Sequence, residues 1–159
     1  MEKELLLGEE KREIEILEFT AGGNCYGVDI NDIREILPYD TIPTKIPNSH
    51  PYIIGLIMPR DFLIPIVDIM KSLKISDTSN IEQRLVIVTS ISKMNIAFLV
   101  DDVIGMHRTS TEYIVKPGRK LSTPVKGAVV AILNLEGRKL EILELRKLIT
   151  DINPDIRLA

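Results

Sequence analysis

From Ile14 onward, apolar residues come in short runs with Gly, Pro, Asn or Asp between them. The runs fall at 14–20 (IEILEFT), 25–30 (CYGVDI), 53–58 (IIGLIM), 62–67 (FLIPIV), 84–91 (RLVIVTSI), 94–100 (MNIAFLV), 127–133 (GAVVAIL) and 139–143 (KLEIL). Runs this short, rich in β-branched residues and bounded by turn formers, predict strands. Gly22-Gly23-Asn24 accepts positive φ cheaply and predicts a hairpin between the first two runs; Ser92-Lys93 serves similarly between 84–91 and 94–100. Many short strands at this spacing argue for an all-β barrel or sandwich.

Helical pattern is confined to brief stretches. Asn31-Asp32-Ile33-Arg34-Glu35-Ile36 opens with capping residues and sets Ile33 and Ile36 at i, i+3, which predicts a helical turn. Asp68 is placed to cap a turn through 69–73, Ser110–Ile114 suggests another, and Leu143–Ile149 a C-terminal one. Pro43, Pro47 and Pro51, then Pro117 and Pro124, mark irregular connections at 37–52 and 115–126. Residues 1–13 read as a flexible charged segment and 151–159 as a C-terminal tail.

The chain also repeats itself. Tyr26–Ile36 (YGVDINDIREI) resembles Ile96–Met106 (IAFLVDDVIGM), an offset of 70: an apolar strand runs into acidic or amide residues and then a turn with apolar spacing of three. Ile54-Gly55 and Lys126-Gly127 both precede apolar residues, and the halves end alike in IPIVDIMKSL (64–73) and LEILELRKLI (140–149). Two copies of one strand-turn unit imply two similar β subdomains of about 70 residues each, forming one body with a cleft between its halves.

Composition narrows the functions open to such a body. Hydrophobic residues make up 45% of the 159 but aromatics only 4%, so the core is built from Ile, Leu and Val. A net charge of −3 offers no bulk attraction to nucleic acid, and scarce aromatics offer no stacking platform for single strands. One cysteine precludes an intramolecular disulfide and fits a reducing compartment. The start is wrong for a signal peptide, and no apolar run approaches the ~20 residues of a membrane span. These features read as a cytoplasmic protein without direct membrane insertion.

Chemistry-bearing patterns are absent. His50 and His107 lack HxxxH or CxxC partners, and there is no GxGxxG, GxxxxGK[ST] or GxSxG. Asp101-Asp102 reads as one turn cap and one solvated carboxylate, because neighbouring strand residues point to opposite faces. Cys25 sits in an apolar strand and reads as a buried, inert thiol. Arg108, Lys116, Arg119, Lys120 and Lys126 surround a Pro-Gly loop and read as a solvated loop before an anion site. The balance favours a binding module over an enzyme, with no cofactor-binding motif in the sequence.

Five motifs in order then resemble a known family. YGVDI followed by Ile33 and Glu35-Ile36, GLI and PIVDI with Arg60 between them, LVIV (85–88), AFLVDDV (97–103) and VKGAVV (125–130) look like a CheW-type coupling domain, a likeness running from about residue 14 to 150. The resemblance implies two intertwined five-stranded Src-homology-3-like barrels with short connecting and C-terminal helices. The single domain would span 14–150, its subdomains covering roughly 26–83 plus the chain ends, and 84–140. It implies an adaptor that joins methyl-accepting chemoreceptor cytoplasmic tips to the regulatory domain of a CheA-type histidine kinase.

Carried over position by position, Ile33, Glu35, Ile36, Gly55 and Arg60 match the kinase- and receptor-facing surface, while Pro65 and Asp68 match the family's PxxD ending. Leu85, Ala97, Val100, Val103 and Met106 match positions bordering the receptor groove. Core packing is the competing reading for the apolar members; Glu35 and Arg60 favour contact, since charged side chains seldom enter a core without partners. The family usually has Asn-Leu-Arg-Gly where this chain has Met58-Pro59-Arg60-Asp61, and Asp where it has Glu144. These departures keep open a divergent scaffold of a non-motility or kinase-only pathway. A ligand-binding or enzymatic use of the cleft would need convergent titratable groups there.

Overall fold

The computed structural model of the protein describes residues 11–77 and 83–156; residues 1–10 and 157–159 of the expected terminal segments lie outside the described residues. The elements are β1 (Glu13–Ala21), β2 (Asn24–Asp29), β3 (Ile33–Pro38), β4 (Ile53–Ile57), β5 (Ile64–Asp68), α1 (Ile69–Leu73), β6 (Leu85–Ile91), β7 (Met94–Val100), β8 (Asp102–Ser110), β9 (Ile114–Val115), β10 (Val129–Leu135), β11 (Arg138–Leu143) and α2 (Leu145–Ile152), with 3-10 turns at Ile30–Asp32 and Thr111–Tyr113. All eight apolar runs become strands. Both predicted hairpins form, with positive φ at Gly22, Gly23, Ser92 and Lys93. Asp68 caps α1 by accepting from the Met70 and Lys71 N–H groups, while α2 starts at Leu145 and runs past residue 150 to Ile152.

The strands form a six-stranded sheet, β8-β1-β2-β11-β10-β9, and a five-stranded sheet, β3-β6-β7-β5-β4. The repeat shows in this order. Pairing β1 with β6, β2 with β7, β3 with β8, β4 with β10 and β5 with β11 turns one sequence of strands into the other, apart from the short β9. Even the parallel pairs correspond: Gly27 lies opposite Ile142 and Ala97 opposite Ile66. Each sheet takes its hairpin from one repeat and its remaining strands from the other, so the copies interlock. The expected division near residue 83 is therefore corrected: β1 and β2 belong with β8–β11, and β6 and β7 with β3–β5.

Two other expectations change with it. The helical turn at 31–36 is a 3-10 turn at Ile30–Asp32, capped by Asp29, followed by strand β3. The turn expected after Asp102 is the nine-residue strand β8. Register shifts explain the misleading spacing of three: one falls between Ile33 and Glu35, the other where β8 pairs Glu18 and Phe19 of β1. An extra residue at a bulge moves the next apolar side chain from i+2 to i+3.

Three apolar clusters follow from strand alternation. Ile16, Leu133, Leu140 and Ile142 fill the six-stranded sheet's own interior, and Ile64, Ile66, Val86, Val88, Ala97 and Leu99 that of the other. The opposite faces meet in a shared cluster of Phe19, Tyr26, Phe98, Ile87 and residues of both helices. Arg146 of α2 holds Asp32 with both terminal nitrogens, each at 3.1 Å, which fixes the approach to β3.

Candidate functional site

β3 leaves its bulge with Glu35 half-buried and Ile36 at the surface. The turn between β4 and β5 carries Arg60 across to it. Arg60 Nη1 donates to Glu35 Oε2 at 2.7 Å and Nη2 to Oε1 at 2.9 Å, a two-pronged pair between residues 25 apart. These bonds hold the Glu35 carboxyl below the usual carboxylate range and raise the Arg60 guanidinium. The unusual Pro59 and Asp61 do not prevent this contact. Around it stand the exposed side chains of Ile36, Met58, Phe62 and Leu63, with the Arg34 guanidinium carbon 5.2 Å from the Phe62 ring centre. Together they form an exposed apolar patch beside an oriented ion pair.

The remaining expected positions separate. Ile33, Leu85 and Val103 are half-buried and pack against the shared central cluster, whereas Met106 is 51% exposed. Ala97 and Val100 are 0% exposed, so their placement on a groove is corrected: both face cores. Gly55 is also buried, and a Cβ there would stand 2.6 Å from the Thr44 carbonyl oxygen. Glycine is required by that close approach of two backbone segments. A separate cleft is lined by Arg12, Ile14, Glu15, Asp29, Ile30 and Arg108, of which only Asp29 and Ile30 fall within a family-like motif.

Sequence reasoning also missed a buried charge. Glu18, 1% exposed, occupies the position on β1 that Val88 occupies on β6, since each lies opposite the equivalent residue, Gly27 or Ala97. Arg138 donates to both of its oxygens at 2.6 and 2.7 Å, and His107 Nε2 lies 2.6 Å from Oε1. The Arg138 hydrogen bonds, joined by those from His107, outweigh desolvation and lower the Glu18 pKa to about 2. The only trace in the sequence is the second of two acids in IEILEFT, which alternation alone assigns to solvent.

Cys25 proves exposed rather than buried, and partial desolvation, then the Glu18 charge, push its thiol up. Asp101 is buried and caps the other hairpin: its Oδ2 accepts from the Gly22 N–H at 2.9 Å, and Oδ1 lies 3.3 Å from Arg84 Nε. Among the described residues no group of three or more His, Cys, Asp or Glu is arranged to hold a metal. Among the same residues no helix is long and apolar enough to cross a membrane.

Comparison with known proteins agrees with this geometry. A family model described as a CheW-like domain matches residues 15–153. The chain is 28% identical over 137 residues to the chemotaxis protein CheW of Klebsiella aerogenes, covering 86% of this chain and 81% of that one. It is 25% identical over 132 residues to the chemotaxis protein CheW of Bacillus subtilis, covering 81% and 82%. Chemotaxis protein CheV3 of Helicobacter pylori is 27% identical over 151 residues, and the chain spans only 48% of its length. In three dimensions the fold superimposes on the scaffolding protein TtCheW from Thermoanaerobacter tengcongensis with a TM-score of 0.81, at 24% identity, covering 93% of this chain and all of that one.

Proposed function

The chain belongs to the CheW-like domain family, and on that premise we propose that it is a non-enzymatic chemotaxis adaptor coupling chemoreceptor signalling tips to a CheA-type histidine kinase. The Arg60–Glu35 pair among exposed Ile36, Met58, Phe62 and Leu63 carries the reading. Apolar area supplies the attraction when the kinase's regulatory domain covers this surface. The charge pair sets register and partner choice more than raw affinity.

A receptor tip is a hairpin of helices, and the cleft where Ile14 and Ile30 are flanked by Arg12, Glu15, Asp29 and Arg108 is its proposed seat, the charged residues pairing with the helix's polar flanks. Half-buried Ile33, Leu85 and Val103 lie along the same central cluster, and Met106 adds an apolar contact at the surface. The adaptor works in the cytoplasm, held at receptor arrays by protein contacts alone. Titration calorimetry against the kinase regulatory domain and against a receptor signalling fragment tests this. Binding to both supports the reading. Binding to the kinase alone makes the protein a kinase-only scaffold, and binding to neither refutes the proposal.

A further inference from the structure

Away from both proposed contact surfaces, an open cleft of about 560 Å³ lies between α1, the 124–127 loop and α2. His50, Lys74, Lys126 and Lys147 line it, with Asp151 as the one acid among the described lining residues. The whole chain carries a net charge of −3, so this local excess of lysine runs against the global balance. Lys147 donates to Asp151 at 2.6 Å. Among the described residues, Lys74 and Lys126 have no carboxylate within ion-pair distance.

The walls are held in place by the fold. Lys74 ends α1 in the left-handed region, φ 54°, with its N–H donating to the Lys71 and Met70 carbonyls. Thr123 Oγ1 donates to the Leu73 carbonyl and accepts from the Val125 N–H, tying the loop to that helix end. Lys147 lies over Gly127, where a Cβ would meet its Cε at 3.6 Å. His50 Nδ1 accepts from the Tyr52 N–H at 3.1 Å, so the neutral ring carries its proton on Nε2 as a donor.

We propose that this cleft docks an acidic segment of a partner protein, a short run of Asp and Glu side chains. The geometry favours dispersed carboxylates over one compact phosphate group. Phosphate sites draw on helix N-terminal amides and on arginine forks. Here α1 presents its C-terminal end, and the N–H of Arg146 at the start of α2 is already capped by Glu144. Among the described residues no arginine lines the cleft, and lysines act as separate point charges that each take one carboxylate. The site is distinct from the Glu35–Arg60 surface, so the coupling function and this proposal stand or fall separately.

An amide NMR titration with a short Glu/Asp peptide, its Gln/Asn counterpart and inorganic pyrophosphate tests the idea on the full chain. The acidic peptide is expected to shift His50, Ser72, Lys74 and Lys126, and the neutral peptide to shift none of them. Lys74→Glu/Lys126→Glu should weaken peptide binding on the order of tenfold. The charge-matched Arg119→Glu/Lys120→Glu, on exposed residues outside the cleft, should stay within about twofold. Equal losses in the two variants mean bulk attraction and overturn the proposal. Shifts confined to other residues, or tighter binding of pyrophosphate than of peptide, overturn it as well.

Discussion

Arg60 grips Glu35 through both guanidinium nitrogens, at 2.7 and 2.9 Å, and so ties the β4–β5 turn to strand β3. Glu35 is the more buried partner, its side chain 18% exposed against 61% for Arg60. The glutamate therefore aims the arginine, and the arginine is the member of the pair that stands open to solvent.

Arg60→Glu sets two carboxylates against each other in that turn. Kinase binding should fall on the order of tenfold or more, while the melting temperature barely changes, because exposed pairs add little to folding. Calorimetry and a thermal melt on the same sample check this. An unchanged affinity removes Arg60 from the interface.

Gly55→Ala tests whether that residue packs or binds. An added Cβ meets the Thr44 backbone at 2.6 Å, so stability should drop by about 1–3 kcal/mol in urea unfolding. A variant of wild-type stability with weakened partner binding would return Gly55 to the surface role.

Glu18 gives the fold a defined acid sensitivity. Its pKa falls from an ordinary 4.5 to about 2 on folding, so its stabilisation is complete above pH 4.5 and is lost as pH drops towards 2. The shift corresponds to on the order of 3 kcal/mol. Glu18→Gln cannot ionise, so the stability gap between wild type and variant should be widest near neutrality and close across that window. A gap independent of pH would contradict the buried pair with Arg138.

The interlocked sheets predict that neither half folds alone. Cutting between residues 80 and 81 separates β3 from β6, β5 from β7, β1 from β8 and β2 from β11. Each fragment should lack a cooperative unfolding transition by circular dichroism, and mixing the two should restore one. A fragment that melts cooperatively alone would contradict the interleaved topology.

Most strands were legible because their apolar runs are short and end at Gly, Asn or Asp. β3 and β8 were hidden by their bulges, which space Ile33 from Ile36 and Val103 from Met106 as a helix would. The repeat was visible, yet its consequence was not: offset tells which strands correspond, while pairing across the copies depends on long-range contacts such as Gly27 with Ile142. Glu35 and Arg60 stood out because charge is expensive to bury. Ala97 and Val100 did not separate from Met106, since an apolar residue carries no mark of which face it occupies. Glu18 was missed because its partners, Arg138 and His107, lie 120 and 89 residues away.

As the proposed coupler, this one chain bridges two other molecules. Receptor signalling fragments assembled on vesicles, a CheA-type kinase and the full chain should co-sediment, with kinase in the pellet rising with added wild-type protein and failing to rise with Arg60→Glu. Kinase that pellets equally without the chain, or never pellets with it, would contradict the account.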